Sequence, residues 1–202
     1  AGEKAFCAGN DLKFTSTKGR AKLPKTGFLG LTQRFNLEKP IIAAVNGVAM
    51  GGGFETALSC DIVIASEIAE FALPEVKVGF IAAAGGIQRL SRYIGRFAAQ
   101  ELVMTGRKVK ASEALSLGIV NAVASRGELI EKAIIKAEDI ASVSPSAIKA
   151  TKRVLNSLLR EEHFPESLAY SREVLSDLAK TQDFGEGVKA FVEKRNPKWV
   201  NR

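Results

Sequence analysis

Several residue types that define common classes of functional site are scarce in this sequence of 202 residues. The single histidine, His163, lies in a segment of helical periodicity and is expected on the surface, so no histidine-based catalytic triad is predicted. The two cysteines, Cys7 and Cys60, show neither metal-ligand spacing nor a disulfide framework, so no metal site is predicted either. Free cysteines of this kind are typical of a reducing compartment such as the cytoplasm, the mitochondrial matrix or the peroxisome. No apolar run reaches the roughly 18 residues that a membrane-spanning helix needs.

The composition is typical of one globular domain, or of one domain with a small appendage. Of the residues, 46% are hydrophobic, 25% are charged and only 6 are proline. The net charge of +7 favours either simple solubility or an anionic partner, such as a polyphosphorylated ligand or a nucleic acid. The densest basic group, between Lys18 and Lys25, has no interleaved aromatic residues, which disfavours a nucleic acid.

Residues 1–125 alternate between short apolar runs, glycine turns and segments of helical spacing. The apolar runs 41–47 and 61–65 predict buried strands, and the glycines at 51–53 and 85–86 precede predicted helices over 54–60 and 88–94. Such alternation indicates an α/β architecture built of βαβ-like units. The remaining expectations are a strand end over 1–9, a mobile loop over 12–32 with helical turns near 28–35, and a looser strand-and-turn repeat over 71–75 and 76–81.

The character of the sequence changes near Arg126. Residues 128–142, 145–160 and 164–180 carry apolar residues at helical period, and Pro145 suits the first turn of a helix. The basic face formed by Lys149, Lys152 and Arg153 is expected to be solvated surface. Helices of this kind have little core of their own, so we expect them to pack on a neighbour such as another subunit. The sequence thus predicts a core over 1–125 and a helical subdomain over 126–202.

The triple glycine Gly51–Gly53 stands directly before a predicted helix. Glycine permits close backbone approach and positive φ, and the first N–H groups of a helix have no intrahelical acceptor. The arrangement therefore suits an anion or a developing oxyanion. It suits tight strand–helix packing equally well. The spacing differs from the G-x-G-x-x-G dinucleotide fingerprint.

Two glutamates are candidates for proton transfer. Glu55 falls in the first turn of the helix after the glycines, where an acidic residue often only complements the helix dipole. Glu75 follows Pro74 among apolar residues, where burial would favour its neutral form and suit a general acid or base. One predicted strand separates them, so both are expected at the same sheet edge. A carboxylate pair beside an oxyanion site is able to add water to a C=C bond or remove it. The segment 6–12 alone predicts no more than a strand end and a turn.

Taken together, these segments resemble the crotonase (enoyl-CoA hydratase) superfamily over almost the whole chain. Residues 4–12 (KAFCAGNDL) look like the K-A-F-x-A-G-x-D-[LI] segment of that family. Residues 39–55 look like its K-P-[VI]-I-A-A-V-N-G-x-A-x-G-G-G-x-E segment. Further matching segments follow in order at 71–75, 85–90, 105–106, 118–120 and 191–195. Within the superfamily the sequence is most similar to the carnitinyl-CoA dehydratase subfamily.

The resemblance implies a crotonase-like ββα superhelix with a C-terminal helical oligomerisation subdomain. It also implies an oxyanion hole made by the backbone N–H groups of Asn10 and Gly52, with Glu55 and Glu75 activating water and exchanging the α-proton. The implied partner is an acyl-CoA substrate, and no cofactor is implied beyond the coenzyme A that the substrate carries. The implied coenzyme A contacts are Ala8, Gly9, Asp11, Leu12, Gly51, Phe191 and Lys194.

The family is usually a homotrimer or a dimer of trimers, and Phe191 and Lys194 match positions that often touch the coenzyme A of an adjacent subunit. Family members normally carry further N-terminal strands before the segment that begins at Ala1. The sequence departs from the hydratase pattern at Ala82–Ala84, where a proline or a glycine turn is usual, and this puts the seating of the water in question. Besides a hydratase, the resemblance leaves open an enoyl-CoA isomerase and a non-catalytic CoA- or RNA-binding homologue.

Overall fold

The structure is a computed structural model that describes residues 2–19, 22–158, 169, 172, 173 and 175–198. His163 and much of the helix expected over 164–180 lie outside those residues. In chain order the elements are β1 (Ala5–Cys7), α1 (Leu12–Lys18), a 3-10 helix (Phe28–Gly30), β2 (Ile42–Val45), β3 (Val48–Met50), α2 (Gly52–Ala57), β4 (Ile62–Ser66), β5 (Glu70–Ala72), a second 3-10 helix (Pro74–Val78), α3 (Gly86–Tyr93), α4 (Arg96–Thr105), β6 (Val109–Lys110), α5 (Ala111–Ser116), β7 (Ala122–Ala124), α6 (Leu129–Ala141), α7 (Pro145–Leu158) and α8 (Gln182–Val192).

The strands form two sheets, and most successive strands alternate between them. One sheet has the order β1-β3-β5-β6 and the other has the order β2-β4-β7. All neighbouring strands are parallel except β5 and β6, which are antiparallel. A chain that alternates between two parallel sheets winds as a spiral, so the α/β class and the superhelical core are as predicted.

The core lies between the sheets and the helices that follow them. Val45 on β2 and Ala49 on β3 are completely buried, which explains why short apolar runs are enough to form these strands, and Leu90 on α3 is buried with them. Phe54 on α2 packs against Phe71 on β5, with ring centroids 5.2 Å apart. This aromatic contact fixes the start of α2 relative to the neighbouring strand and so positions the glycine turn before it.

The structure differs from the sequence analysis at three places. The segment 12–18, expected within a loop, is helix α1, because the Asp11 side chain accepts hydrogen bonds from the N–H groups of Lys13 and Phe14 and caps the helix. Residues 48–50, to which the sequence analysis assigned no element, form strand β3. Residues 76–81 contain no strand, since a 3-10 helix occupies Pro74–Val78.

The basic face of α7 is also not simply solvated. Lys152 is 7% exposed, and its ammonium group pairs with Asp61 at 2.7 Å and donates to the carbonyl of Lys39. Arg153 pairs with Glu38 at 2.6 Å. These contacts join α7 to the segment before β2 and to the turn before β4. No helix within the described residues is long and apolar enough to cross a membrane.

Candidate active site

Each of the three positions before and at the start of α2 requires glycine for a different structural reason. Gly51 is the N-cap with φ 53°, a conformation that favours glycine, and its N–H donates to Ala72 O at 2.9 Å. A Cβ at Gly53 would lie 2.0 Å from Cys7 O, so this glycine is required for packing of α2 on β1. A Cβ at Gly52 would lie 2.6 Å from the ring of Phe28, which places that ring directly beside the helix start. Close packing therefore explains both Gly53, against β1, and Gly52, against Phe28, while the N–H of Gly52 at the helix start is free of an intrahelical acceptor.

The loop after β1 lies against the start of α2. A Cβ at Gly9 would lie 2.8 Å from Met50 O and 3.2 Å from Gly52 N, and the loop therefore brings Asn10 close to Gly52. The Asn10 side chain is held by a 2.8 Å hydrogen bond to the Thr15 hydroxyl. Within the described part of the chain, no hydrogen bond takes up the backbone N–H of Asn10 or of Gly52. Each of the two N–H groups is thus available to an acceptor from outside the chain.

Glu55 is an almost fully buried carboxylate held by two backbone donors. The side chain is 3% exposed, and Oε1 accepts from Ala84 N at 2.8 Å and from Gly86 N at 2.9 Å. Burial raises the pKa of Glu55 to about 7, while the two N–H donors oppose that rise. The turn at Ala82–Ala84 acts here through a backbone N–H, which alanine supplies as well as glycine does.

The surroundings of Glu75 differ from those of Glu55, because they leave one oxygen of its carboxyl group without a hydrogen bond. Its Oε2 atom is buried without a hydrogen-bond partner among the described residues, and a Cβ at Gly51 would lie 3.0 Å from its Oε1. Burial, and secondarily the charge of Glu55, raise the pKa of Glu75 to about 8. Two strands, β4 and β5, separate the glutamates along the chain rather than the one expected, and these strands belong to different sheets. The fold nevertheless brings both carboxylates to one place.

Two cavities meet at these groups. One of about 530 Å³, here called the Phe191 chamber, and one of about 500 Å³, here called the Glu55 chamber, are both lined by Asn10, Gly52, Glu75 and Phe80. Glu55 lines only the second. A third, more apolar cavity of about 680 Å³ lies between α6 and α7, and its walls include none of the candidate catalytic residues. The site of interest is therefore the junction of the first two chambers.

The Phe191 chamber contains most of the residues expected to contact coenzyme A. Ala8, Gly9, Leu12, Gly51 and Phe191 line it. The remaining two expected residues do not: the Asp11 side chain caps α1, and Lys194 is exposed beyond the end of α8. Two further residues that line the Glu55 chamber, Phe28 and Phe80, were not predicted as site residues from any motif.

Helix α8 covers this region within the same chain. Phe184 stacks on Phe80 with centroids 4.3 Å apart, and a Cβ at Gly79 would lie 3.0 Å from Asp183 O. Phe191, expected to reach the site of an adjacent subunit, thus lines the site of its own chain. Helix α8 thereby supplies one wall of the Phe191 chamber.

The raised pKa values predict an unusual dependence of stability on pH. Both glutamates bind protons more tightly in the folded protein than in the unfolded chain, whose carboxyl pKa is near 4.5. Their contribution to the free energy of unfolding is therefore fully present below about pH 4.5 and is lost as the pH rises towards 8. We expect the free energy of unfolding of Glu75→Gln, measured by urea unfolding, to exceed that of the wild type by at least about 1 kcal/mol at pH 9. At pH 5 the two free energies are expected to be similar.

The control for that measurement is Glu131→Gln, which removes one charge from the exposed face of α6. Its urea midpoint is expected to follow that of the wild type at both pH values. A Glu75→Gln variant with the same pH dependence as the wild type would show that Glu75 is not held neutral by burial.

Known proteins are similar to this chain in sequence and in fold. The family described as enoyl-CoA hydratase/isomerase matches residues 1–202. A carnitinyl-CoA dehydratase from Escherichia coli O157:H7 is 44% identical over 209 residues, covering 100% of this chain and 79% of that protein. A carnitinyl-CoA hydratase structure from Mycobacterium avium (43% identity, TM-score 0.92) and an enoyl-CoA hydratase structure from Bacillus anthracis (37% identity, TM-score 0.72) are each matched by 100% of this chain over 79% of their length. No group of three or more metal-ligating side chains occurs in the described ranges. The chain belongs to the enoyl-CoA hydratase/isomerase family.

Proposed function

We propose that this protein catalyses the reversible addition of water to a 2-enoyl-CoA thioester. The observation that supports this most strongly is the junction of the two chambers. There, two available N–H groups lie beside two buried carboxylates in unlike environments. An acid and a base that differ in this way are what hydration of a C=C bond requires.

In the proposed reaction the thioester oxygen accepts hydrogen bonds from the N–H groups of Asn10 and Gly52. Glu55, whose charged form is stabilised by two backbone donors, takes a proton from water as its oxygen bonds to the β-carbon. The C=C electrons move into an enolate whose oxygen the two N–H groups stabilise. Glu75, kept neutral by burial, gives its proton to the α-carbon, and proton exchange between the two carboxyl groups and water restores the starting state.

Coenzyme A is proposed to occupy the Phe191 chamber and the acyl group the Glu55 chamber. Phe191 and Ala8 would border the pantetheine arm, and Lys77 and Arg195 line the same chamber where an anionic nucleotide would arrive. Lys194 remains a proposed contact with coenzyme A, since it lies close by in sequence and is exposed. The reaction proposed here needs no cofactor beyond the coenzyme A of the substrate.

The names of the relatives make carnitinyl-CoA one candidate substrate for this chain. An isomerase, the first alternative, needs a single proton shuttle, and the presence of a second buried carboxylate on backbone donors favours hydration. A non-catalytic CoA- or RNA-binding protein would have no use for two buried carboxylates with raised pKa values.

The test is the ultraviolet absorbance of the enoyl thioester of crotonyl-CoA on adding purified protein. Loss of absorbance with formation of 3-hydroxybutyryl-CoA is the expected result. A folded sample that binds coenzyme A and leaves crotonyl-CoA, 2-pentenedioyl-CoA and crotonobetainyl-CoA unchanged would contradict the proposal. A product in which the double bond has moved and whose mass is unchanged, so that no water has been added, would favour the isomerase.

We further propose that the helical region 126–202 joins three chains into a homotrimer, or six into a dimer of trimers. Support comes from exposed apolar side chains on α6 and α7, including Ile130 at 60% and Val154 at 61% exposure, and from the apolar cavity between these helices. Sedimentation velocity should show a species of three or six chains. A monomer at micromolar concentration would contradict this assembly.

A further inference from the structure

The lining of the Glu55 chamber includes a positive charge. Arg172, Leu175 and Ser176, which lie within five residues of one another in sequence, line the chamber together with Glu55 and Glu75. Leu175 is 6% exposed and anchors this segment on the protein. Arg172 is the one cationic residue among the described residues that line the chamber.

No ion pair neutralises the guanidinium of Arg172 among the residues that the structure describes. In the part of the chain that the structure describes, no acidic side chain lies within ion-pair distance of it, and neither Glu55 nor Glu75 is paired with it. The arginines at 107, 126, 153 and 195 each pair with a glutamate. Arg172 is half-buried, and a partly desolvated guanidinium gains most from an acceptor that satisfies its donors.

The rest of the chamber limits what this acceptor is attached to. The other residues that line the chamber are mainly apolar and include Phe28, Phe80 and Ile81. Such walls suit an acyl chain with an apolar middle. The guanidinium of Arg172 and the hydroxyl of Ser176 are the lining groups able to donate hydrogen bonds to an anion at the end of such a chain.

We propose that the Glu55 chamber selects a 2-enoyl-CoA whose acyl group ends in a carboxylate, which Arg172 binds. The inference rests on the proposed function, because it assigns the substrate class of the same site. It differs from what the names of the relatives suggest. An acyl group that ends in a trimethylammonium group would place one cation against another, and like charges at close range oppose binding.

The test compares kcat/KM for hydration of three substrates that differ at the far end of the acyl group. They are 2-pentenedioyl-CoA (anionic), crotonyl-CoA (neutral) and crotonobetainyl-CoA (cationic). The wild type is expected to prefer the anionic substrate over the neutral one by about 10- to 100-fold. Arg172→Met should lower that ratio to near 1, and Arg172→Lys should give an intermediate value because lysine keeps the charge but loses the planar fork.

The matched control is Arg96→Met, which removes the same charge from an exposed position on α4 outside both chambers. Its substrate ratio should equal that of the wild type, so a local contact is separated from the overall charge of the protein. A wild-type preference for the neutral or cationic substrate, or an unchanged ratio in Arg172→Met, would overturn the inference.

A binding measurement separates this inference from the proposed function. Glutaryl-CoA and butyryl-CoA are saturated, so neither is hydrated, and calorimetry gives their dissociation constants directly. Tighter binding of glutaryl-CoA that is lost in Arg172→Met supports the role of Arg172 even if no hydration is found. Equal binding of the two ligands by the wild type overturns it, whether or not crotonyl-CoA is hydrated.

Discussion

Replacing Glu75 by glutamine is expected to lower kcat for hydration of a 2-enoyl-CoA by about 10²- to 10⁴-fold, the usual contribution of a positioned general acid. Glutamine has nearly the same shape and is neutral, as the buried carboxyl group is when its pKa is raised, so the fold is retained. It has no acidic proton to give to the α-carbon. The effect should therefore appear in kcat, while the dissociation constant for coenzyme A changes little, because most of the Phe191 chamber is untouched.

The matched control is Glu67→Gln, a substitution of the same kind at an exposed residue between β4 and β5. Its kcat should equal that of the wild type. A second readout is exchange of the α-protons of butyryl-CoA with deuterium from the solvent. This exchange should be lost in Glu75→Gln and retained in Glu55→Gln, since only Glu75 acts on the α-carbon. Wild-type turnover in Glu75→Gln would remove Glu75 from the mechanism.

The parts of this site that could be predicted from sequence are those made by local features. Three glycines before a helix indicate available N–H groups, and a glutamate after proline among apolar residues indicates a raised pKa. Each of these features is contained within a few consecutive residues. The α/β class followed from the same local pattern of short apolar runs and glycine turns.

The partners that complete the site are distant in sequence or carry no chemical signature. The donors to Glu55 are backbone N–H groups at Ala84 and Gly86, 29 and 31 residues away, and any non-proline residue supplies such a donor. Lys152 meets Asp61 across 91 residues, which no helical pattern on α7 could reveal. Arg172 becomes distinctive only when the walls of the chamber are known.

Helix α1 is a different kind of failure, because its signal was present. Asp11 is followed by three residues whose N–H groups need acceptors, and aspartate is among the preferred N-caps. Pro24 and the glycines and lysines after residue 18 are typical of a loop, and that composition outweighed the cap. The result matters for function because Thr15 on α1 holds the side chain of Asn10 beside the candidate oxyanion hole.

A substitution at Gly52 tests the oxyanion hole itself, although its donor belongs to the backbone. Gly52 is the first residue of α2, where proline is tolerated because that N–H has no intrahelical acceptor. Gly52→Pro therefore removes the N–H with little effect on the helix backbone. Gly52→Ala keeps the N–H and places a similar Cβ against the ring of Phe28. Comparison of the two variants separates the effect of the new Cβ from the loss of the N–H, whose hydrogen the proline Cδ replaces.

We expect kcat of Gly52→Pro to be about 10²- to 10³-fold below that of Gly52→Ala, the range observed when one oxyanion donor is lost. Measuring both variants in a Phe28→Ala background gives the new Cβ room and should preserve the ratio. Urea unfolding establishes that each variant is folded. Equal turnover of the proline and alanine variants would show that the Gly52 N–H does not stabilise the enolate. The fall in kcat, with coenzyme A binding retained, would instead identify that N–H as a donor acting on the transition state, because binding of the nucleotide and pantetheine arm does not use it.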